Sequence, residues 1–127
     1  MIVADASAAV SALLNDGPAR RAFGDEQVHV PHLIDSEVPN ALRRLAASGR
    51  LAADAAWETL DRWRRLGLTR YPMVGLLDRI WELRENVSAY DASYIALAER
   101  LDCALVTADA RLGLAPGTRC VVTVVPR

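Results

Sequence analysis

Along the chain, short apolar runs alternate with segments in which apolar residues return at helical spacing. Ile2-Val3-Ala4 is an apolar run ending at Asp5, which reads as a buried strand turning into a helix over Ala6 to Leu14, with Asp5 placed to cap it. Asn15-Asp16-Gly17-Pro18 ends that helix and starts a second piece, Ala19 to Phe23. Gln27 to Val30 reads as a strand stopped by Pro31. A helix follows over Leu33 to Ser48, with Val38, Ala41, Leu42 and Leu45 as its apolar stripe and Gly49 as its stop. Asp35-Ser36 offers a cap there, and Pro39 fits the first turn, where amides lack helical partners.

The second half repeats the alternation. Leu51 to Arg65 predicts a helix with Ala53, Ala56, Trp57 and Leu60 inward, and Leu66 to Arg70 a weak strand ended by Tyr71-Pro72. Met73 to Glu85 predicts a helix burying Val74, Leu77, Ile80 and Trp81. Ser88 opens another, with Tyr94, Leu97, Ala98 and Leu101 as its stripe. Cys103 to Thr107 is the strongest internal strand, Ala108 to Leu112 a turn or short helix, and Arg119 to Val125 a final strand rich in β-branched residues. Strands alternating with helices predict an α/β fold: a three-layer α/β/α sandwich with a mostly parallel central sheet and right-handed crossovers, as one domain over residues 1–127.

Composition narrows the classes further. The 127 residues are 52% apolar and carry a net charge of −1, which argues against a nucleic-acid coat or a membrane-surface protein. No apolar run approaches the roughly 18 residues of a membrane span, and no leader pattern precedes Ile2-Val3, so a cytoplasmic protein is expected. Cys103 and Cys120 are then expected to be reduced and buried. With His29 and His32 they lack the spacing of a zinc site. All 15 basic residues are arginine, which fits either a compositional bias or phosphate recognition.

Four acids share one kind of position. Asp5 and Asp109 follow strands, while Glu37 and Asp91 fall in the first turns of helices. In a parallel sheet, strand C-termini and the N-termini of the following helices lie along one edge, so all four can converge there. Each has a purely structural alternative: Asp5 and Asp109 as helix caps, Asp91 as the partner of Ser88 in a capping pair, Glu37 as a favourable charge at a helix N-terminus. Crowded carboxylates raise one another's pKa, and a divalent cation relieves them. Oxygen donors without histidine or thiolate suit Mg²⁺ or Mn²⁺, which can activate water and stabilise a phosphodiester as it is cut.

The segments Ile2-Val-Ala-Asp5-Ala-Ser7, Ser36-Glu37-Val-Pro-Asn40-Ala-Leu42, Tyr90-Asp91-Ala-Ser-Tyr-Ile-Ala-Leu-Ala98 and Leu105-Val-Thr107-Ala-Asp109-Ala-Arg-Leu112 resemble the PIN domain. More narrowly, they resemble the VapC toxins of bacterial toxin–antitoxin pairs. The resemblance spans nearly the whole chain. It implies an endoribonuclease dependent on Mg²⁺, with Mn²⁺ as the alternative, in which Asp5, Glu37, Asp91 and Asp109 are catalytic metal ligands. It places Ser7, Asn40 and Thr107 as polar neighbours of the site or of the substrate. It also implies an RNA substrate, a homodimer, and a cognate antitoxin whose tail lies in a groove and blocks the site. Alternatives are a non-catalytic PIN-like interaction module and a non-toxin PIN nuclease of RNA processing.

Trp57, Trp63 and Trp81 sit at helical spacing and read as core residues. Arg43, Arg44, Arg62, Arg64 and Arg65 read as a solvated face, with RNA backbone or antitoxin contact as the alternative. Receiver domains and haloacid-dehalogenase-type phosphatases also set acids above a parallel sheet, but both need a lysine at that edge, and the chain has none.

Overall fold

The computed structural model describes all residues 1–127. The chain runs β1 (Ile2–Ala4), α1 (Ala6–Leu14), α2 (Pro18–Asp25), β2 (Val28–Pro31), α3 (Ile34–Ala47), α4 (Ala53–Arg64) and β3 (Thr69–Tyr71). A 3-10 turn over Val74–Leu76 leads into α5 (Leu77–Glu82), followed by α6 (Ala89–Arg100), β4 (Ala104–Thr107), a second 3-10 turn over Ala110–Leu114, and β5 (Val122–Val124). All five strands are parallel, in the order β3-β2-β1-β4-β5. Helices cover both faces of the sheet, with α1, α3 and α4 packed on one another and α5 packed on α6. The fold is the expected three-layer α/β/α sandwich. No helix is long and apolar enough to cross a membrane.

The strand order makes β1 the pivot. The chain leaves β1 toward β2 and β3 on one side and returns to β4 and β5 on the other. Crevices at the carboxyl ends of strands open at such a reversal. Here it lies between Ala4 and its register partner Val106. The residues immediately beyond it are Asp5 and the stretch Thr107–Asp109. β1 is buried throughout, and Val3, Val30 and Leu105 are fully inaccessible. Continuous rather than alternating apolar runs follow, because helices cover both faces. α6 lies across the centre of the sheet, and its residues Ala92 to Ala98 are all buried.

Several expectations about individual elements are corrected. Pro39 lies inside α3, not in its first turn, because the helix begins at Ile34. Asp35 and Ser36 do not cap α3. Asp35 instead accepts Trp63 Nε1–H at 2.9 Å and Arg70 Nε–H at 2.6 Å, tying α3 to α4 and β3. Pro31 is the last residue of β2 rather than the residue that stops it, a strand end where a missing N–H is tolerated.

The inward face of α4 is Ala56, Thr59 and Trp63, whereas Trp57 is 57% exposed. Thr59 misled the pattern: its hydroxyl returns to the Ala55 carbonyl at 2.8 Å, so its polar group is satisfied within the helix and the residue can be buried. The arginine of Arg64 lies over the Trp57 ring instead of a core neighbour. The expected helix over Met73 to Glu85 is also rephased. The 3-10 turn breaks the period, and Leu76, Ile80 and Leu83 point inward while Val74, Leu77 and Trp81 are exposed. Cys103 and Cys120 are free but only half-buried, and burial pushes the Cys120 thiol up to about 11.

Candidate active site

Asp5 leaves β1 as the N-cap of α1. Its Oδ1 accepts the Ala8 N–H at 2.9 Å and the Ser7 hydroxyl at 2.6 Å. Its Oδ2 accepts the Thr107 hydroxyl at 2.5 Å. Thr107 Oγ1 in turn accepts the Asp109 N–H at 3.0 Å, and Ser7 Oγ accepts the Ala108 N–H at 2.8 Å. Each hydroxyl has one hydrogen, and both hydrogens are spent on Asp5. The 3.2 Å approach of Ser7 to Thr107 is therefore packing between two acceptors. These bonds stitch the ends of β1 and β4 together at the strand-order reversal.

Glu37 enters from α3. The buried Tyr94 of α6 donates its hydroxyl to Glu37 Oε1 at 2.5 Å. Asp91 stands one helical turn before Tyr94 on the same face of α6, and its N–H is capped by Ser88 Oγ at 3.1 Å. Asp109 caps the second 3-10 turn through the Arg111 N–H at 3.0 Å. The Arg111 guanidinium also grips it with two bonds, at 2.9 and 3.1 Å. One open cavity of about 820 Å³ is bordered by Asp5, Ser7, Glu37, Asp91, Tyr94 and Asp109.

Asn40 lies on the same cavity one turn along α3. It is exposed, its Oδ1 accepts two bonds from Arg43, and it hydrogen-bonds to none of the acids. The arginines divide as well. Arg44 reaches the cavity wall. Arg64 and Arg65 pair with Asp61, and Arg62 donates to the Leu13 carbonyl. Tyr94 and Arg111 were missed in the sequence. Tyr94 stands in the apolar stripe of its helix, and only its spacing of three residues from Asp91 marked it. Arg111 follows Asp109 by two residues, the reach of a side chain back to its own turn.

The electrostatics separate the acids. Burial, reinforced by the Asp109 charge, raises the Asp5 carboxyl above the usual range against the pull of its hydrogen bonds. Burial, then repulsion from Asp91 and Asp5, raises Glu37. Burial, then repulsion from Asp5 and Asp109, raises Asp91. Asp109 is lowered, chiefly by the Arg111 hydrogen bonds. Burial and the neighbouring Glu37 raise the Tyr94 phenol, which stays protonated as a donor.

Three under-neutralised carboxylates thus face one cavity, with oxygen the only donor type. That chemistry fits a hard divalent cation. No three acids close into a ready-made cage. The fit is to an ion such as Mg²⁺, which keeps several waters and takes only one or two carboxylates directly. Asp5 Oδ2 and Asp109 Oδ2 each accept a single hydrogen bond and keep a lone pair free; they differ in the donor, which is the Thr107 hydroxyl for Asp5 and the Arg111 guanidinium for Asp109.

Fold and site together define an α/β protein whose parallel sheet reverses order at an acid-lined cavity. The chain belongs to the PIN domain family, whose model matches residues 2–116. It is 61% identical over 127 residues to Ribonuclease VapC9 of Mycobacterium tuberculosis, covering 100% of both chains. It superposes with a TM-score of 0.72 on the crystal structure of PAE2754 from Pyrobaculum aerophilum, at 26% identity over 95% of this chain and 81% of that one. A toxin-antitoxin complex from Klebsiella pneumoniae shares the fold at TM-score 0.73 and 17% identity, over 100% of both chains.

Proposed function

We propose that the chain is a VapC-type endoribonuclease, the toxin half of a toxin–antitoxin pair, which hydrolyses RNA phosphodiester bonds with Mg²⁺, or alternatively Mn²⁺. The observation that carries this reading is the set of three raised carboxylates, Asp5, Glu37 and Asp91, facing one cavity without a paired cation. The likeness to a protein named as a ribonuclease over its whole length supports it.

In this reading Asp5, Glu37, Asp91 and Asp109 would hold the ion, one or two of them directly and the others through its waters; when bound it would neutralise the phosphate's charge and supply a more acidic water. Glu37 is suited to accept that water's proton: burial raises its carboxyl above the usual carboxylate range, and Tyr94 fixes its orientation. Ser7 and Thr107 fix the Asp5 carboxylate where it borders the cavity. The reading carries with it a cytoplasmic location, a homodimer, and an antitoxin that covers the cavity.

The test replaces Asp91 with Asn. Asp91 is the cleaner probe, because Asp5 also caps α1 and binds two hydroxyls. The expected result is loss of Mg²⁺-dependent RNA cleavage with an unchanged fold, and the same loss for Asp5→Asn. Full activity in both variants overturns the assignment.

A further inference from the structure

The four acids are not equivalent, and the difference lies in Arg111. Asp109 is the one acid whose two oxygens are both bonded to a cation of the chain itself: Arg111 Nη2 meets Oδ2 at 2.9 Å and Nε meets Oδ1 at 3.1 Å. The same guanidinium borders the cavity and offsets part of the rise at Asp91 through space, so its charge already acts on two of the acids. Its side chain is 89% exposed, and no other residue pins it. A bidentate fork is geometrically specific yet, in water, weakly held.

We propose that Arg111 is the built-in counter-cation of the acid cavity. It holds Asp109 while no divalent ion is present, and it turns to a non-bridging oxygen of the substrate phosphate once Asp109 engages an ion. Resting on the endoribonuclease reading, this adds a role for a residue outside the acid set. Two conditions support the exchange. A divalent ion at Asp109 meets a guanidinium already bonded to both carboxylate oxygens, so the ion and Arg111 compete for one anionic group. Once shed, Arg111 remains tethered two residues from Asp109, at the mouth of the cavity where the phosphate enters. The planar fork that matches a carboxylate matches a phosphate equally well. Arg111 is thus a positioning residue with opposite effects on the two ligands: it competes with the metal and assists the RNA.

The experiment compares the full chain with Arg111→Gln and, as a control of equal charge, Arg84→Gln, whose side chain lies over Trp81 away from the cavity. Mn²⁺ binding is measured by calorimetry without RNA, and cleavage kinetics at saturating Mn²⁺. Arg111→Gln is expected to bind Mn²⁺ about two- to fivefold more tightly, the range an exposed ion pair supports. Its KM for RNA should rise at the same time, with a shallower salt dependence. Arg84→Gln should match the parent in both. Unchanged or weaker Mn²⁺ binding in Arg111→Gln overturns the proposal, as does an unchanged KM. A parent that binds no Mn²⁺ at all overturns the endoribonuclease reading as well, which separates the two failures.

Discussion

Thr107 is the residue through which β4 controls Asp5, and its replacement by valine isolates one oxygen. Thr107 is fully inaccessible; it donates to Asp5 Oδ2 at 2.5 Å and accepts from the Asp109 N–H at 3.0 Å. Valine has nearly the same shape but puts a methyl carbon where the oxygen stands. A carbon cannot approach a carboxylate oxygen closer than about 3.3 Å, so the Asp5 carboxylate must retreat by most of an ångström. Two polar groups also lose a partner, at about 1–3 kcal/mol for a fully buried one and less for the half-buried Asp109 amide. The added methyl offsets about 0.8 kcal/mol of this. The expected net loss of stability is about 1–2 kcal/mol.

The chemistry should suffer more than the fold. A displacement of about 1 Å at a reacting group can cost on the order of a hundredfold in rate. Thr107→Ser supplies the contrast: it keeps both hydrogen bonds and removes one buried methyl, at roughly 1 kcal/mol. The two variants should therefore unfold at similar urea concentrations, followed by circular dichroism. Initial rates on a fluorogenic RNA should differ by more than about tenfold, with serine near the parent. A valine variant that cleaves within about threefold of the parent, or a serine variant that falls as far as valine, refutes the argument that this hydroxyl positions Asp5.

Two further outcomes follow from the same groups. Tyr94→Phe removes the 2.5 Å bond that lowers Glu37, so the Glu37 carboxyl should rise further and the acid limb of the cleavage profile should move to higher pH, read from kcat against pH. The second concerns stability. A carboxyl raised on folding costs stability in full above its folded pKa, and the cost vanishes as pH falls toward the unfolded value. Asp5, Glu37 and Asp91 are all raised, so without divalent ions the melting temperature should climb from neutral pH to about pH 5. Below that, Asp35 and Glu99, held low by Arg70 and Arg79 against their burial, should lose their contribution and stability should fall. Saturating Mg²⁺ should raise the melting temperature at neutral pH and little at pH about 5, where protons have done the same work. A metal effect independent of pH contradicts the clustered site.

The sheet was legible because its central strands obey the simplest rule. Ile2–Ala4 and Ala104–Thr107 are buried on both faces, so they read as unbroken apolar runs, and α1 matches its expected bounds residue for residue. The sequence misled where a polar residue was buried or an apolar one was not. Thr59 hides its hydroxyl on the Ala55 carbonyl and occupies the inward face that the pattern gave to Trp57. Around Val74–Leu76, a tighter turn shifts the phase of everything after it, and no single residue announces that turn. The four acids were singled out by position and by the family resemblance, each at the end of a strand or the start of a helix, and all four border one cavity. Tyr94 was not, because a tyrosine whose ring packs in the core and whose hydroxyl reaches Glu37 has the same periodicity as one that does only the first.

Reading an acid as either a cap or a ligand proves to be a false choice once its oxygens are counted. Asp5 caps α1 through Oδ1, which the Ala8 amide and the Ser7 hydroxyl saturate, while Oδ2 takes only the Thr107 hydroxyl. Capping therefore leaves Asp5 half of a ligand, and Asp5 is aimed because it caps. Asp91 is freer still, since Ser88 caps the helix in its place and the Asp91 carboxylate is left to the cavity. Asp109 accepts as many bonds as Asp5, but there the turn it caps takes one and the cationic Arg111 guanidinium takes the other two. Helix capping thus costs this cavity little of its capacity for a cation. The one cation paired with an acid of the cavity is an arginine two positions along the same loop, so on the proposed exchange the readiness of the site depends on Arg111 as much as on the acids.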